Sequence, residues 1–158
     1  MGRVGARIDV PGQASDAEAL WYDVGRWPTF VDGLKHIARV TGDWPHPGAE
    51  VVWDSQPGGR GRGRVLEQVV AYEPRRGQDV ALEDERIRAT QRIGFAPHAD
   101  GVAVTLELDY ELKERTPVTR IVDLLFVRRE VEASLRRTLA GFARERRGDL
   151  EWEATESR

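Results

Sequence analysis

The stretch GVAVTLELDYELKE, residues 101–114, decides the fold class. Val102, Val104, Leu106, Leu108, Tyr110 and Leu112 fall on one face, and Ala103, Thr105, Glu107, Asp109, Glu111 and Lys113 on the other. Side chains of a strand point alternately to opposite faces, so this period predicts an antiparallel strand with one buried and one wet side. Working back from it, Ala99-Asp-Gly101 reads as a hairpin connection to RIRATQRIGFA (86–96). Before that come QDVALE (78–83), RGRVLEQVVAYE (62–73), AEVVWDS (49–55) and LKHIARVTG (34–42). They are separated by the turn segments Pro74-Arg-Arg-Gly77, Pro57-Gly58-Gly59 and Trp44-Pro-His-Pro-Gly48. Short turns between consecutive strands favour an antiparallel meander.

The N-terminal part holds one more strand, RVGARIDV (3–10), with Val4, Ala6, Ile8 and Val10 on its apolar face. Ser15-Asp-Ala-Glu18 then has the spacing of a capping box, which predicts a helix from about Asp16 to Val24 with Gly25 ending it. Pro28 suits the first turn of a second short helix that Gly33 closes. These helices carry Trp21, Tyr22, Trp27 and Phe30. C-terminal to the deciding strand, Thr116-Pro117 opens a helix expected to reach Arg147, ~45 Å long at 1.5 Å per residue. Its apolar seam is Ile121, Leu124 or Leu125, Val131, Leu135, Leu139 and Phe142, interrupted by Arg128. Gly148 is expected to stop it, leaving 149–158 as a polar tail after a single domain over 1–148, and the Arg-rich end of the helix as a solvated face.

Bulk properties exclude several classes of function. The 158 residues suit one domain with one core. There is no cysteine, so disulfides, thiolate catalysis and Cys-ligated metal are out. A net charge of −3 gives no general attraction to nucleic acid or acidic lipid. His36, His46 and His98 show no metal-ligand spacing, and no metal or cofactor is expected. The glycine–arginine run Gly58–Arg64 lacks the Lys-Ser/Thr of a phosphate loop and the aromatics of a single-strand nucleic-acid platform, so it reads as a solvated turn, with gating of a pocket mouth as the functional reading. The start of the chain has no signal-peptide pattern, no apolar run is long enough to span a membrane, and a cytoplasmic location is expected.

The order β, two short helices, six strands, one long helix is similar to the helix-grip fold of the START and polyketide cyclase/dehydrase superfamily. ARIDVPGQASDAEALWYDVGRWPTFVDGL resembles that family's opening strand and aromatic helices. VLEQVVAYEPRR resembles its strand ending in Tyr-Glu-Pro, and GVAVTLELDYELKE its last strand. The resemblance spans roughly residues 4–147. It implies an α+β domain in which a curved seven-stranded antiparallel sheet grips a long C-terminal helix, with two short helices between strands 1 and 2. It further implies a deep apolar cavity between sheet and helix; members carry lipids, bind ubiquinone, sense plant hormones or cyclise polyketides.

On that fold the alternation patterns nominate a lining. Leu106, Leu108 and Tyr110 come from the deciding strand, Gln91 from the phase Ile87, Ala89, Gln91, Ile93, Phe95, and His36 from the phase Leu34, His36, Ala38, Val40. In 62–73 the phase of Leu66, Gln68, Val70 and Tyr72 competes with that of Val65, Glu67, Val69 and Ala71, and either one buries a polar group. Trp53 with Val51 is the better inner phase of 49–55. The candidate binding residues are therefore Trp27, Phe30, His36, Trp53, Gln68, Tyr72, Gln91, Leu106, Leu108, Tyr110, Leu124 and Arg128. Tyr110 and Arg128 would suit a polarised carbonyl or enolate, and His36 a general base. The expected function is binding of a small hydrophobic partner, a lipid, quinone or polyketide-like ring. A cyclase, aromatase or dehydratase acting in the same cavity is the alternative, and the oligomeric state stays open, a dimer included.

Overall fold

The computed structural model describes residues 2–56, 63–113 and 119–158, with backbone alone over 119–124. Strand β1 (Gly2–Pro11) leads into helix α1 (Ala14–Tyr22), a 3-10 turn (Val24–Arg26) and the short helix α2 (Trp27–Phe30). Strands β2 (Leu34–Thr41), β3 (Glu50–Ser55), β4 (Arg64–Glu73), β5 (Gly77–Glu83), β6 (Ile87–His98) and β7 (Gly101–Leu112) follow, and helix α3 (Thr119–Glu156) ends the chain. The seven strands form one antiparallel sheet in the order β1-β7-β6-β5-β4-β3-β2. It is an α+β helix-grip domain, as expected, with both short helices between β1 and β2. No described helix is long and apolar enough to cross a membrane.

The deciding strand behaves as its period requires. Val102, Val104, Leu106, Leu108 and Tyr110 are all buried, and they pack in one core with Val4, Val10, Ile87, Ile93 and Phe95. Helix α3 closes this core with Val127, Val131, Leu135, Leu139, Phe142 and Ala143, spaced by threes and fours. Trp21, Phe30 and Phe142 stack at 5.5–5.8 Å between ring centres, which ties the two N-terminal helices to α3. Gly141 allows that approach, since a Cβ there would meet the Phe30 backbone at 3.1–3.2 Å.

Three expectations are corrected. The cap of α1 lies two residues earlier than the capping-box spacing indicates: Gln13 is the N-cap, its N–H donates to Asp16 at 3.2 Å, and Glu18 accepts the Arg75 N–H instead. Helix α3 does not stop at Gly148 but runs to Glu156, because Arg26 grips Asp149 with two nitrogens at 2.7 and 2.9 Å and Glu145 at 2.7 Å. The Arg-rich end of α3 is not wholly solvated. Arg146 is 4% exposed and packs against the β1–α1 junction, 3.6 Å from Asp16, while Arg144 and Arg147 stay in solvent. The expected helix start at Thr116-Pro117 and residues 58–62 of the glycine–arginine run lie outside the described residues.

Candidate functional site

Trp53, Gln91 and Leu106, on the inward phases of their strands, meet Trp27 of α2 in the interior, and Trp21, Val31, Leu82 and Leu135 complete the apolar walls. Asp32, Glu67, Ser134 and Thr138 add polar groups to the same lining. Strands β3, β4, β5, β6 and β7 supply one wall; α1, α2 with its following turn, and α3 supply the other. The space among them measures about 40 Å³. That is close to the ~30 Å³ share of one liquid water and far below the ~300–1,000 Å³ of a small-molecule pocket. The deep cavity implied by the resemblance is therefore nearly closed at this place. Larger hollows, about 630 and 670 Å³, lie open to solvent beside Tyr72 and Glu107 and over Ala14, Phe95 and Pro97. Neither brings buried polar groups together under an apolar roof, so the interior position is the candidate site.

The polar lining is internally braced. The Trp53 indole N–H donates to Glu67 at 2.7 Å, and Glu67 is only 5% exposed. The Trp27 indole N–H donates to the Trp21 carbonyl at 2.7 Å. Asp32 accepts the Ser134 hydroxyl at 2.9 Å and two Arg137 nitrogens at 3.0 Å, while its own N–H donates to the Thr138 oxygen at 3.0 Å. This knot fastens the turn after α2 to the middle of α3. The Arg137 guanidinium rises above its usual range first through the Asp32 hydrogen bond and then, against the burial that opposes it, through that carboxylate's charge.

The remaining sequence candidates go elsewhere. His36 is corrected from inward to outward: β2 carries irregularities between Leu34 and His36 and between Ile37 and Arg39, which shift its phase. Its side chain is 56% exposed and lies 3.0 Å from Asp54. Gln68 is also corrected, since Val65, Glu67 and Val69 are the buried phase of β4 and Gln68 is exposed. A bulge between Val69 and Ala71 then brings Tyr72 back, but into a separate cluster with Val69, Val80 and Trp44, 5.4 Å from the Tyr22 ring. Phe30 is core, stacked on Trp21 and Phe142. Leu108 and Tyr110 lie farther along β7 than the cavity, and both are buried. Arg128 is exposed rather than interrupting the apolar seam; Val127 takes the inward position, and Leu125 is also exposed. The Leu124 and Ile121 side chains lie outside the described residues.

Tyr110 keeps one feature of interest. Its hydroxyl is buried without a hydrogen-bond partner among the described residues, and its ring lies where a Cβ on Gly2 would stand. Burial pushes the phenol pKa up, and the charge of Arg128 opposes that shift. Tyr110 and Arg128 are therefore neighbours electrostatically, while His36 is not part of any group with them. Asp32, Ser134 and Thr138 have no place in the lining that alternation nominates, and Glu67 appears there only as one of two competing phases. The helix positions Ser134 and Thr138 flank the Leu135 and Leu139 seam by one residue, which is the signal the sequence offers for them. Among the described residues no cluster of three His, Asp or Glu side chains could hold a metal.

A family model described as polyketide cyclase/dehydrase and lipid transport matches residues 1–146. No curated protein matches the sequence. Among solved structures, the protein TTHA0849 of Thermus thermophilus is similar with a TM-score of 0.78 at 17% identity, over 94% of this chain and 99% of that one. A conserved protein of Geobacillus kaustophilus gives 0.73 at 14%, over 93% and 96%. A point mutant of norcoclaurine synthase from Thalictrum, solved with a transition-state analogue, gives 0.68 at 13%, over 94% and 95%. At these identities the likeness is one of fold.

Proposed function

Because this chain belongs to the polyketide cyclase/dehydrase and lipid transport family, we propose that it binds a small hydrophobic molecule, a lipid, quinone or polyketide-like ring, between the sheet and α3. The observation that carries the reading is the convergence of Trp21, Trp27, Trp53, Leu82, Leu106 and Leu135 around a few inward polar groups. Binding sites for small organic molecules are built this way, with apolar walls and a few placed polar atoms. A space of about 40 Å³ admits no such guest as it stands. The guest enters a more open form in which α3 or the lining side chains have shifted, and the closed form is the resting state. Affinity is then reduced by the fraction of molecules that are open.

An enzymatic reading is favoured by one observation, the buried carboxylate of Glu67 in the same lining. A carboxylate inside an apolar site is a suitable acid–base group for cyclisation or dehydration. The structural neighbour DynU16, described as a putative protein in the dynemicin biosynthetic locus, supports that direction; it is 15% identical with a TM-score of 0.62, over 90% of this chain and 46% of that one. Native mass spectrometry of the purified protein, alone and after incubation with long-chain lipids, quinones and fused aromatic ketones, tests the binding reading. A bound hydrophobe at one-to-one stoichiometry is the expected result. If every class fails to bind, and none co-purifies, the reading is wrong. Turnover of a bound poly-ketone that Glu67→Gln abolishes, with the fold intact, would move the conclusion to the enzyme.

A further inference from the structure

We infer that Gln91 selects the guest of this site by donating its amide N–H to an uncharged carbonyl oxygen, that of a ketone or quinone; the inference rests on the binding reading above. Gln91 lies on β6, opposite Val80 of β5 and Leu108 of β7, which are 2% and 1% exposed. Ile93, its neighbour on the same strand and face, is buried as well. An amide among apolar neighbours weakens a fold unless something pairs with it. Yet Gln91 lines the interior space and its side chain forms no hydrogen bond among the described residues.

The other polar side chains of the lining are engaged. The Trp27 indole donates to the Trp21 carbonyl, and the Trp53 indole to Glu67. Asp32 accepts from Ser134 and Arg137, and Thr138 accepts from the Asp32 N–H. Besides Gln91, only the Trp21 indole has no hydrogen bond to a described residue. What these two groups share is an N–H donor, so the matching atom of a guest is an oxygen acceptor. No Lys, Arg or His stands among the described lining residues, so a carboxylate would find no counter-ion there. A ketone or quinone oxygen accepts without bringing a charge. Its carbon body meets the indole faces of Trp27 and Trp53 and the Leu106 side chain. Tyr110, whose buried hydroxyl also lacks a partner, is no rival: its ring lies over Gly2 of β1, across β7 from Gln91.

Acetonaphthone and ethylnaphthalene share one outline and differ only by C=O against CH2; naphthoate adds a charge to the same body. Equilibrium dialysis at pH 7 offers the three probes to native protein and to Gln91→Met, which keeps the chain length and removes the amide. Native protein should bind acetonaphthone at least tenfold more tightly than naphthoate. Gln91→Met should weaken acetonaphthone at least fivefold and leave ethylnaphthalene within twofold. Urea unfolding separates a guest contact from a structural one. An amide with no partner in the empty protein is replaced without loss, so the midpoint of Gln91→Met should be no lower than the native one. Gln91→Leu repeats the comparison if Gln91→Met fails to fold. Acetonaphthone affinity that survives the substitution, a midpoint that falls, or naphthoate bound as tightly as acetonaphthone overturns the Gln91 inference and leaves the binding reading standing. If none of the three probes binds, the inference and the binding reading fall together.

Discussion

Glu67 and Trp53 show how a single side-chain pair can both support a fold and shape a site. A buried carboxylate without a donor is costly, and the indole N–H at 2.7 Å supplies one. Trp53→Phe removes that donor and some packing, so it should destabilise the protein by about 1–3 kcal/mol. Glu67→Gln, which preserves an acceptor for Trp53, should cost less. Urea unfolding curves of the two variants measure the difference, and a Glu67→Gln loss equal to that of Trp53→Phe would deny the pair its role. At this scale the sequence is legible where alternation is regular, as for Leu106, Leu108, Tyr110 and Gln91. It is not legible where both phases of a strand offer a polar residue. In β4 the choice between Glu67 and Gln68 turns on which neighbours are better buried, Val65 and Val69 or Leu66 and Val70, and β-branched residues stand in both sets.

Among the elements, the strands and helices follow their local signals, and the departures have identifiable causes. An irregularity in a strand reverses which side chains face in, and nothing in LKHIARVT marks where the ladder slips. His36 leaves the site for that reason. Helix α3 passes through Gly148, a residue that weakens helices by about 1 kcal/mol relative to Ala, because a distant residue holds the far side. Arg26, on the 3-10 turn, reaches Asp149 and Glu145 across more than a hundred positions of sequence. Its guanidinium pKa is raised, first by the Asp149 hydrogen bond, then, against the opposing effect of burial, by the hydrogen bond to Glu145 and the charges of both acids. All three side chains are about a third exposed, so solvent screening limits the effect to about 1 kcal/mol. Arg26→Ala should therefore leave the unfolding midpoint nearly unchanged while amide hydrogen exchange quickens across 149–156. Unchanged exchange in that terminal segment would mean that the helix end holds itself.

At the scale of the whole molecule, the run of strands from β2 to β7, the two helices after β1 and the long final helix are legible, because each follows from local period and turn residues; the pairing of β1 with β7 joins segments distant in sequence and has no local signal. The interior volume is not legible either. A pattern of apolar faces says that sheet and helix meet, but the gap between them depends on how side chains interlock, and here three tryptophans and Leu135 fill most of it. That tightness gives the proposed function its sharpest test. Leu135 is 5% exposed and borders the narrow space, so Leu135→Ala deletes three carbons at the site itself. Such a substitution should lower stability by about 2–5 kcal/mol, through lost contacts and the cavity left behind. If the native protein must open before a guest can enter, the enlarged variant starts nearer to the competent form and loses less affinity to the closed state. Leu135→Ala should then bind neutral naphthylmethanol at least threefold more tightly than the native protein, although it is less stable. Calorimetric titration beside urea unfolding reads both quantities on the same sample. A variant that loses stability yet gains no affinity would place the guest somewhere other than between Leu106 and Leu135.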